Sequence, residues 1–236
     1  MTKIHYKMEE AVAQVTLDDG KVNAMDFVFF EELEQALDRV VSDGAETLII
    51  AGRPGYFSGG LDIKLMPTLS PTDLNRLAEN FARSLLRVFS LPLPTVAVCS
   101  GHAVAGGAML CFACDLRYVV KGPYVFQMNE MLVGIPLPTW MLLIARSAIP
   151  VRWQVETLLH ARAYSPEDAV EKDLFHGLIE EGEDPLVYAK SQIEKLSALN
   201  FKAYETSKKR LRKSDVDQVL GLLRDELPFQ EGESTL

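Results

Sequence analysis

The chain is poor in cysteine. Cys99, Cys111 and Cys114 are an odd and sparse set, which argues against a disulfide-stapled secreted fold and points to a reducing compartment. Two of them stand in "CFAC", whose redox-like spacing supplies only half the ligands of a structural zinc site. Its apolar neighbours fit a buried helix face instead, so no metal is expected. Long apolar runs are also missing, since none approaches the ~18 residues that span a membrane. The opening "MTKIHYKMEEAVAQ" carries acidic residues and no apolar core of a secretion signal. The closing "STL" is not a peroxisomal address. Positive charge is short as well: 24 Lys plus Arg face 33 Asp plus Glu, a net charge of −9. With a pI of about 5.0, nucleic acid and anionic membranes are disfavoured as partners. One basic cluster, "SKKRLRKS" at 207–214, is the exception and reads as a solvated helix face or a support for phosphates. A cytoplasmic protein is the expectation.

What is present suffices for a sizeable core: 236 residues, 48% of them hydrophobic, fit one large domain or a domain with an appendage. "KIHYKMEEAVAQVTLDD" reads as two strands turning near Glu9 and Glu10. Asp26 suits the N-cap of a helix with Phe30, Leu33, Leu37 and Val40 on one face, stopping at Gly44. "ETLIIAG" is a buried strand. Ser70 and Pro71 open a second helix through Leu74, Leu77, Phe81, Leu85 and Val88 to the break "LPLP". "TVAVCS" and "DLRYVV" are further strands. From Pro138 onward the pattern is helical, in "TWMLLIARSAI", "VRWQVETLLHAR", "SPEDAVEKD", "PLVYAKSQIEKLSAL" and "SDVDQVLGLLRDEL". The last residues, "QEGESTL", read as disordered. A β/α first part with a helical second part results, and units near 47–66 and 95–113 weakly repeat a ββα pattern.

In both units a buried strand runs into glycines and then toward a helix. Glycines let a ligand approach the main chain, and a first helical turn offers unpaired N–H groups. Each turn is thus either a tight packing corner or an anion site. "GHAVAGG" does not space its glycines as a dinucleotide fingerprint does, and Gly107 and Ala108 stand where a P-loop needs Lys and Ser or Thr. Nucleotide phosphate is disfavoured. A single developing oxyanion needs just two converging donors, and each turn can supply one. Glu130, in "FQMNEMLVG" between apolar stretches, is either a salt-bridged loop carboxylate or a base sharpened by burial. Ser58 and Ser100 flank glycines but not as G-x-S-x-G, so a serine hydrolase is disfavoured.

"YFSGGLDIKLM" (56–66) resembles the first signature of the enoyl-CoA hydratase/isomerase, or crotonase, superfamily, and "SGHAVAGGAMLCFACDLRY" (100–118) resembles the second. The likeness continues through "GKVNAMD", "FQMNEMLVGIP" (126–136) and "ARAYSPEDAVEKDL", in the family's order. The resemblance implies an α/β fold: a spiral of ββα units over 1–190 and a helical trimerisation region over 191–236, assembling as homotrimers or paired trimers. It implies an acyl-CoA thioester ligand, with coenzyme A as part of the substrate and no separate cofactor. Motif by motif, the oxyanion amides fall on Leu61 and Gly106, although Leu61 replaces a commoner small residue. Lys21, Ala24 and Met25, with Asp62, Ile63 and Lys64, line the CoA groove; Gly107 and Met109 stand beside the thioester. Trp140 reads as core or acyl-pocket wall. Asp62 and Asp115 read as structural, and so does His102.

The resemblance places Glu130 on the family's second catalytic glutamate and Met109 where the first would stand. Hydration uses both; a 1,3-proton shift needs one base and an oxyanion hole. The expectation is therefore a Δ3,Δ2-enoyl-CoA isomerase-like enzyme. A hydratase or another crotonase-type lyase or hydrolase is the first alternative, and a catalytically silent acyl-CoA-binding paralogue the second.

Overall fold

The computed structural model describes residues 2–196 and 198–228. Strand β1 (Ile4–Glu9) turns through Glu10, at φ 53°, into β2 (Val12–Leu17), pairing Ile4 with Leu17. Ala13, Val15 and Leu17 alternate inward along β2, the period of a strand with one buried face. Helix α1 (Phe27–Ser42) starts where Asp26 accepts the N–H of Phe29, and its apolar stripe lies on the sheet. Strand β3 (Thr47–Gly52) then pairs parallel with β2.

From there the chain repeats one step. Strand β3 leads to β4 (Gly55–Ser58) and helix α2 (Pro71–Ser90), which Ser70 caps as expected. Strand β5 (Thr95–Cys99) leads to β6 (Gly101–Val104) and α3 (Gly106–Ala113). Strand β7 (Leu116–Val120) leads to β8 (Phe126–Gln127) and α4 (Thr139–Ala148). The first strand of each step joins one sheet and the second strand joins another, so the ββα pattern is a spiral. Beyond α4, helix α5 (Val151–Gln154) runs into a π-turn (Val155–Leu159), followed by β9 (Ala163–Tyr164), α6 (Pro166–Glu171), β10 (Gly177–Ile179), α7 (Pro185–Glu194) and α8 (Phe201–Leu222). The large sheet has the order β1-β2-β3-β5-β7-β10, and the small one β4-β6-β8-β9. All neighbours are parallel except β1 with β2 and β8 with β9.

"TLIIAG" and "TVAVC" are apolar throughout because both faces of the large sheet are covered. Leu48, Ile50, Ala97 and Cys99 join the main core, while Ile49, Ala51, Val96 and Val98 meet Ala189 of α7 on the other side. Helix α3 is buried on every side. Cys111 lies within it and Cys114 ends it, and both are free; burial pushes the Cys114 thiol up to about 12. The "CFAC" spacing is thus core, and among the described residues no group of three or more His, Cys, Asp or Glu is placed to hold a metal. No helix among them is long and apolar enough to cross a membrane.

The structure corrects the reading of the second half. Strands β9 and β10 stand in the gaps between the stretches the sequence reads as helix, where it reads no strand, and β10 forms an edge of the large sheet beside β7. The last helix starts at Phe201, with Asn200 as its cap, and not at Ser214. The division drawn at 190 and 191 falls within α7. The expectation for "QEGESTL" lies outside the described residues.

The basic cluster at 207–214 is only partly a solvated face. Lys208, 5% exposed, donates to the Leu93 carbonyl at 2.8 Å and to Asp115 at 2.6 Å. Arg212 pairs with the other oxygen of Asp115 at 2.8 Å and also donates to the Phe89 carbonyl. Burial opposes the Asp115 charge, but Lys208 and Arg212 outweigh it and hold that carboxyl below its usual range. Two cations therefore anchor α8 to the core, which leaves Lys209, Arg210 and Lys213 outward.

Candidate active site

The segment between β2 and α1 is held by polar side chains that the large-scale pattern does not reveal. Asp19 accepts the N–H groups of Lys21 at 2.7 Å, Asn23 at 2.9 Å and Ala24 at 3.1 Å. Burial pushes its pKa up, but those donors outweigh it and hold the carboxyl below its usual range. Asn23, buried at φ 53°, donates through its amide to the carbonyls of Leu17, Tyr56 and Phe57. Ser58 donates to the Asn23 carbonyl at 2.7 Å and accepts the Gly60 N–H at 3.1 Å. These bonds lay "GKVNAMD" alongside the first glycine turn.

At that turn, Met25 donates to Gly60 O at 2.9 Å and accepts from Asp62 N at 3.0 Å. The intervening Leu61 N–H stays outside this bridge. Asp62 in turn accepts from Lys64 and Leu65, holding the turn as expected. The sequence suggests a helix directly after both glycine turns, and here the structure differs. Leu61 leads into an irregular turn and a short 3-10 stretch (Met66–Thr68) before α2 begins at Pro71. The Leu61 amide is therefore a bridge-edge donor, without a helix dipole behind it.

The second glycine turn does open a helix. Gly106 is the first residue of α3, so its N–H has no acceptor within the helix. The two turns touch. Gly60 sits at φ +83°, and a Cβ there would fall 3.0 Å from Gly106 N and 2.9 Å from Val104 O. A Cβ on Gly107 would fall 2.1 Å from Ser58 O, so the first turn of α3 is seated directly on the backbone of the first motif.

Glu130 is brought to the same edge of the small sheet by strand order. Strands β4, β6 and β8 are parallel neighbours, so the residues after their C-terminal ends emerge on one side. Leu61 follows β4, Gly106 follows β6, and Glu130 follows β8, whose Gln127 carbonyl accepts the Ala105 N–H at 2.8 Å. Glu130 begins a short 3-10 turn (Glu130–Val133), is 6% exposed, and its buried Oε2 has no hydrogen-bond partner. Burial pushes its pKa up to about 7, with its own backbone N–H pulling weakly the other way. The sequence left open whether this carboxylate is salt-bridged. It is not in any ion pair among the described residues.

The remaining predicted residues divide. Ala24 and Met25 are part of the turn assembly, and Met25 Sδ lies 3.1 Å from where a Gly106 Cβ would sit. Lys21, Ile63 and Lys64 are exposed on the flanking loops. Met109 is fully buried in α3, and no acidic residue occupies that helix. Trp140 is buried and packs edge-on against Phe81 at 5.0 Å, while Phe81 Cζ lies 3.0 Å from the Gly106 Cβ position. His102 accepts the Val125 N–H and packs between Tyr56 and Tyr124, which is a structural role. Sequence reasoning missed Asp19, Asn23 and Phe81, and missed what Ser58 does. The available signal was the turn chemistry of "DDGKVN", in which Asp and Asn bond their own backbone.

Comparison with known proteins identifies the family and the fold. A family model described as enoyl-CoA hydratase/isomerase matches residues 7–221. The chain is 25% identical over 212 residues to the mitochondrial enoyl-CoA delta isomerase 1 of Mus musculus, covering 89% of this chain and 73% of that protein. It is 34% identical over 123 residues to a probable enoyl-CoA hydratase of Bacillus subtilis (strain 168), covering 51% of this chain and 48% of that one. Among solved structures, an enoyl-CoA hydratase/isomerase family protein from Pseudomonas syringae superposes with a TM-score of 0.88 at 28% identity, over 95% of this chain and 96% of that chain. Human mitochondrial delta3-delta2-enoyl-CoA isomerase shares the fold, with a TM-score of 0.89 at 24% identity over 95% of this chain and 90% of that chain.

Proposed function

Because the chain belongs to the enoyl-CoA hydratase/isomerase (crotonase) superfamily, we propose that it is an enzyme that moves the double bond of a 3-enoyl-CoA to the 2-position. Glu130 takes a proton from C2 of the thioester. The negative charge spreads to the thioester oxygen, where the N–H groups of Leu61 and Gly106 hold it. Glu130, now protonated, returns the proton at C4. Coenzyme A enters as part of the substrate along Lys21, Ala24, Met25 and Asp62, Ile63 and Lys64, with Gly107 and Met109 beside the thioester and Trp140 behind the acyl group. No further cofactor takes part.

The observation that carries this reading is Glu130 itself. It is a buried carboxylate with an unpartnered oxygen and a pKa near 7, and it follows β8 at the edge of the small sheet where the two facing glycine turns follow β4 and β6. A buried carboxylate with a raised pKa and a free oxygen supports proton transfer over a silent binding role. The apolar Met109 in a helix without carboxylates supports a one-base reaction over hydration. Assembly into homotrimers or paired trimers belongs to the same proposal, as does a cytoplasmic location. In support of assembly, Leu132, Val133 and Ile135, just after Glu130, are exposed, and so are Val151, Val155 and Leu159 before β9.

The pH dependence tests the base. Glu130 must be ionised to accept a proton, so kcat/KM for a 3-enoyl-CoA should rise with pH through one ionisation near 7. A rate already at its plateau at about pH 5 would contradict the assignment, because an ordinary carboxylate is ionised there.

A further inference from the structure

Two non-glycine residues with positive φ adjoin the strands that flank β8. Ala105, at φ 49° and ψ −119°, joins β6 to the donor Gly106. The buried Ala161, at φ 50°, lies between the π-turn and β9. Residues with a side chain rarely adopt such a backbone, and it persists only where the surroundings hold it. One residue bonds to both. The Gln127 carbonyl accepts the Ala105 N–H at 2.8 Å, and the Gln127 side-chain amide donates to the Ala161 carbonyl at 2.7 Å. Strand β8 comprises only Phe126 and Gln127, with Gln127 opposite Val104 of β6 and Ala163 of β9. So short a ladder gives the side-chain bond a large share in fixing the strand.

The strain bears on the chemistry because the peptide between Ala105 and Gly106 is planar. The ψ of Ala105 therefore sets the direction of the Gly106 N–H. Relaxation of Ala105 out of this conformation would turn that donor. Ala105 also packs on the first glycine turn, since a Cβ on Gly60 would fall 3.1 Å from the Ala105 methyl. Glu130 lies three residues beyond Gln127, so β8 is tied to the donor by a hydrogen bond and to the base by the chain itself. A proton shift needs base and donor in register on one thioester, and small misplacements are costly. Resting on the enoyl-CoA reading above, we propose that Gln127 is a positioning residue for that reaction. Its carbonyl holds Ala105 in the strained conformation, and its side-chain bond to Ala161 steadies β8. Together they keep the Gly106 donor in register with Glu130.

Gln127→Met keeps the length of the side chain and removes its donor. Its kcat for 3-hexenoyl-CoA should fall about tenfold with KM within about twofold of wild type, because a displaced donor is felt chiefly in the transition state. Ala105→Gly supplies the readout that a merely structural bond would not move. Glycine adopts φ 49° without strain, so in the Ala105→Gly background the same Gln127→Met change should cost less than about threefold in kcat. An equal loss in both backgrounds would overturn the proposal. So would wild-type kcat in Gln127→Met, or a loss expressed in KM alone. Should Gln127→Met fold poorly, Ala105→Gly alone tests the strain. Its Tm should rise by about 2 °C or more, and an unchanged or lower Tm would overturn the proposal. Wild-type turnover reports on the enzyme reading separately. Its absence would fault that reading and this role with it, whereas an active wild type with an unaffected Gln127→Met faults the role alone.

Discussion

Replacing Glu130 by Gln should remove nearly all isomerase turnover while raising thermal stability at pH 8. The loss follows from removing a positioned base, which costs about 10²- to 10⁴-fold in rate. The gain follows from burial. The pKa of Glu130 is about 7 in the folded protein against an ordinary value of 4.5. Between those values the native state binds more protons than the unfolded one, so stability falls as pH rises and is lowest, as far as Glu130 is concerned, above pH 7. At pH 8 the wild type carries an ionised, desolvated carboxylate and the Gln variant does not. At a scale of about 2–4 °C per kcal/mol for a chain of this size, the variant's Tm should be higher by several degrees. The difference should shrink toward pH 5, where the carboxyl is protonated in the native state. A variant that keeps wild-type turnover would remove Glu130 from the mechanism, and one that is less stable at pH 8 would contradict the desolvation of its carboxylate.

Gly106→Val should abolish turnover by at least about 10²-fold, the cost of losing one oxyanion donor from its position. A Cβ at 106 meets the ring edge of Phe81 at 3.0 Å, Met25 Sδ at 3.1 Å and Gly60 Cα at 3.3 Å. The first two are the ends of side chains and can yield, so Gly106→Ala should retain part of the activity. The two methyl groups of Val enlarge a side chain whose Cβ already stands 3.3 Å from Gly60 Cα, in the turn that leads to Leu61. Gly107 provides a sharper contrast, because its Cβ would fall 2.1 Å from the Ser58 carbonyl, which is backbone and cannot move aside. Gly107→Ala should therefore be more damaging than Gly106→Ala in both kcat/KM and Tm. The reverse order would mean that α3 does not rest on the first motif as described.

Much of the site was legible because its parts are local. Asp26 and Ser70 announce their helices through capping, and the apolar strands announce a covered sheet. The glycine turns stand out because each needs a backbone approach that a side chain would block. Strands β8 and β9 escaped because two residues cannot display a period of two. Strand β10 is set by its pairing with β7, which lies far away in sequence. Lys208 and Arg212 look like surface charge until Asp115, more than ninety residues away in the sequence, is placed against them. The salt-bridge question at Glu130 was likewise undecidable from spacing, since the absence of a partner is a property of the packed chain. Met109 illustrates the opposite case: its alignment suggests an apolar replacement at the reaction centre, and its complete burial means that Met109→Glu would also have to desolvate a new carboxylate.

The central claim is that one carboxylate, Glu130, serves a proton shift and that no second acid in α3 positions water. It is tested most directly by the ratio of kcat/KM for isomerisation of 3-hexenoyl-CoA to kcat/KM for hydration of 2-hexenoyl-CoA by the wild-type enzyme, followed by chromatography. The account predicts that isomerisation is faster by at least about 10²-fold, the contribution of one general acid or base. Hydration as fast as isomerisation would contradict it, and would show that another group stands opposite Glu130 to activate water.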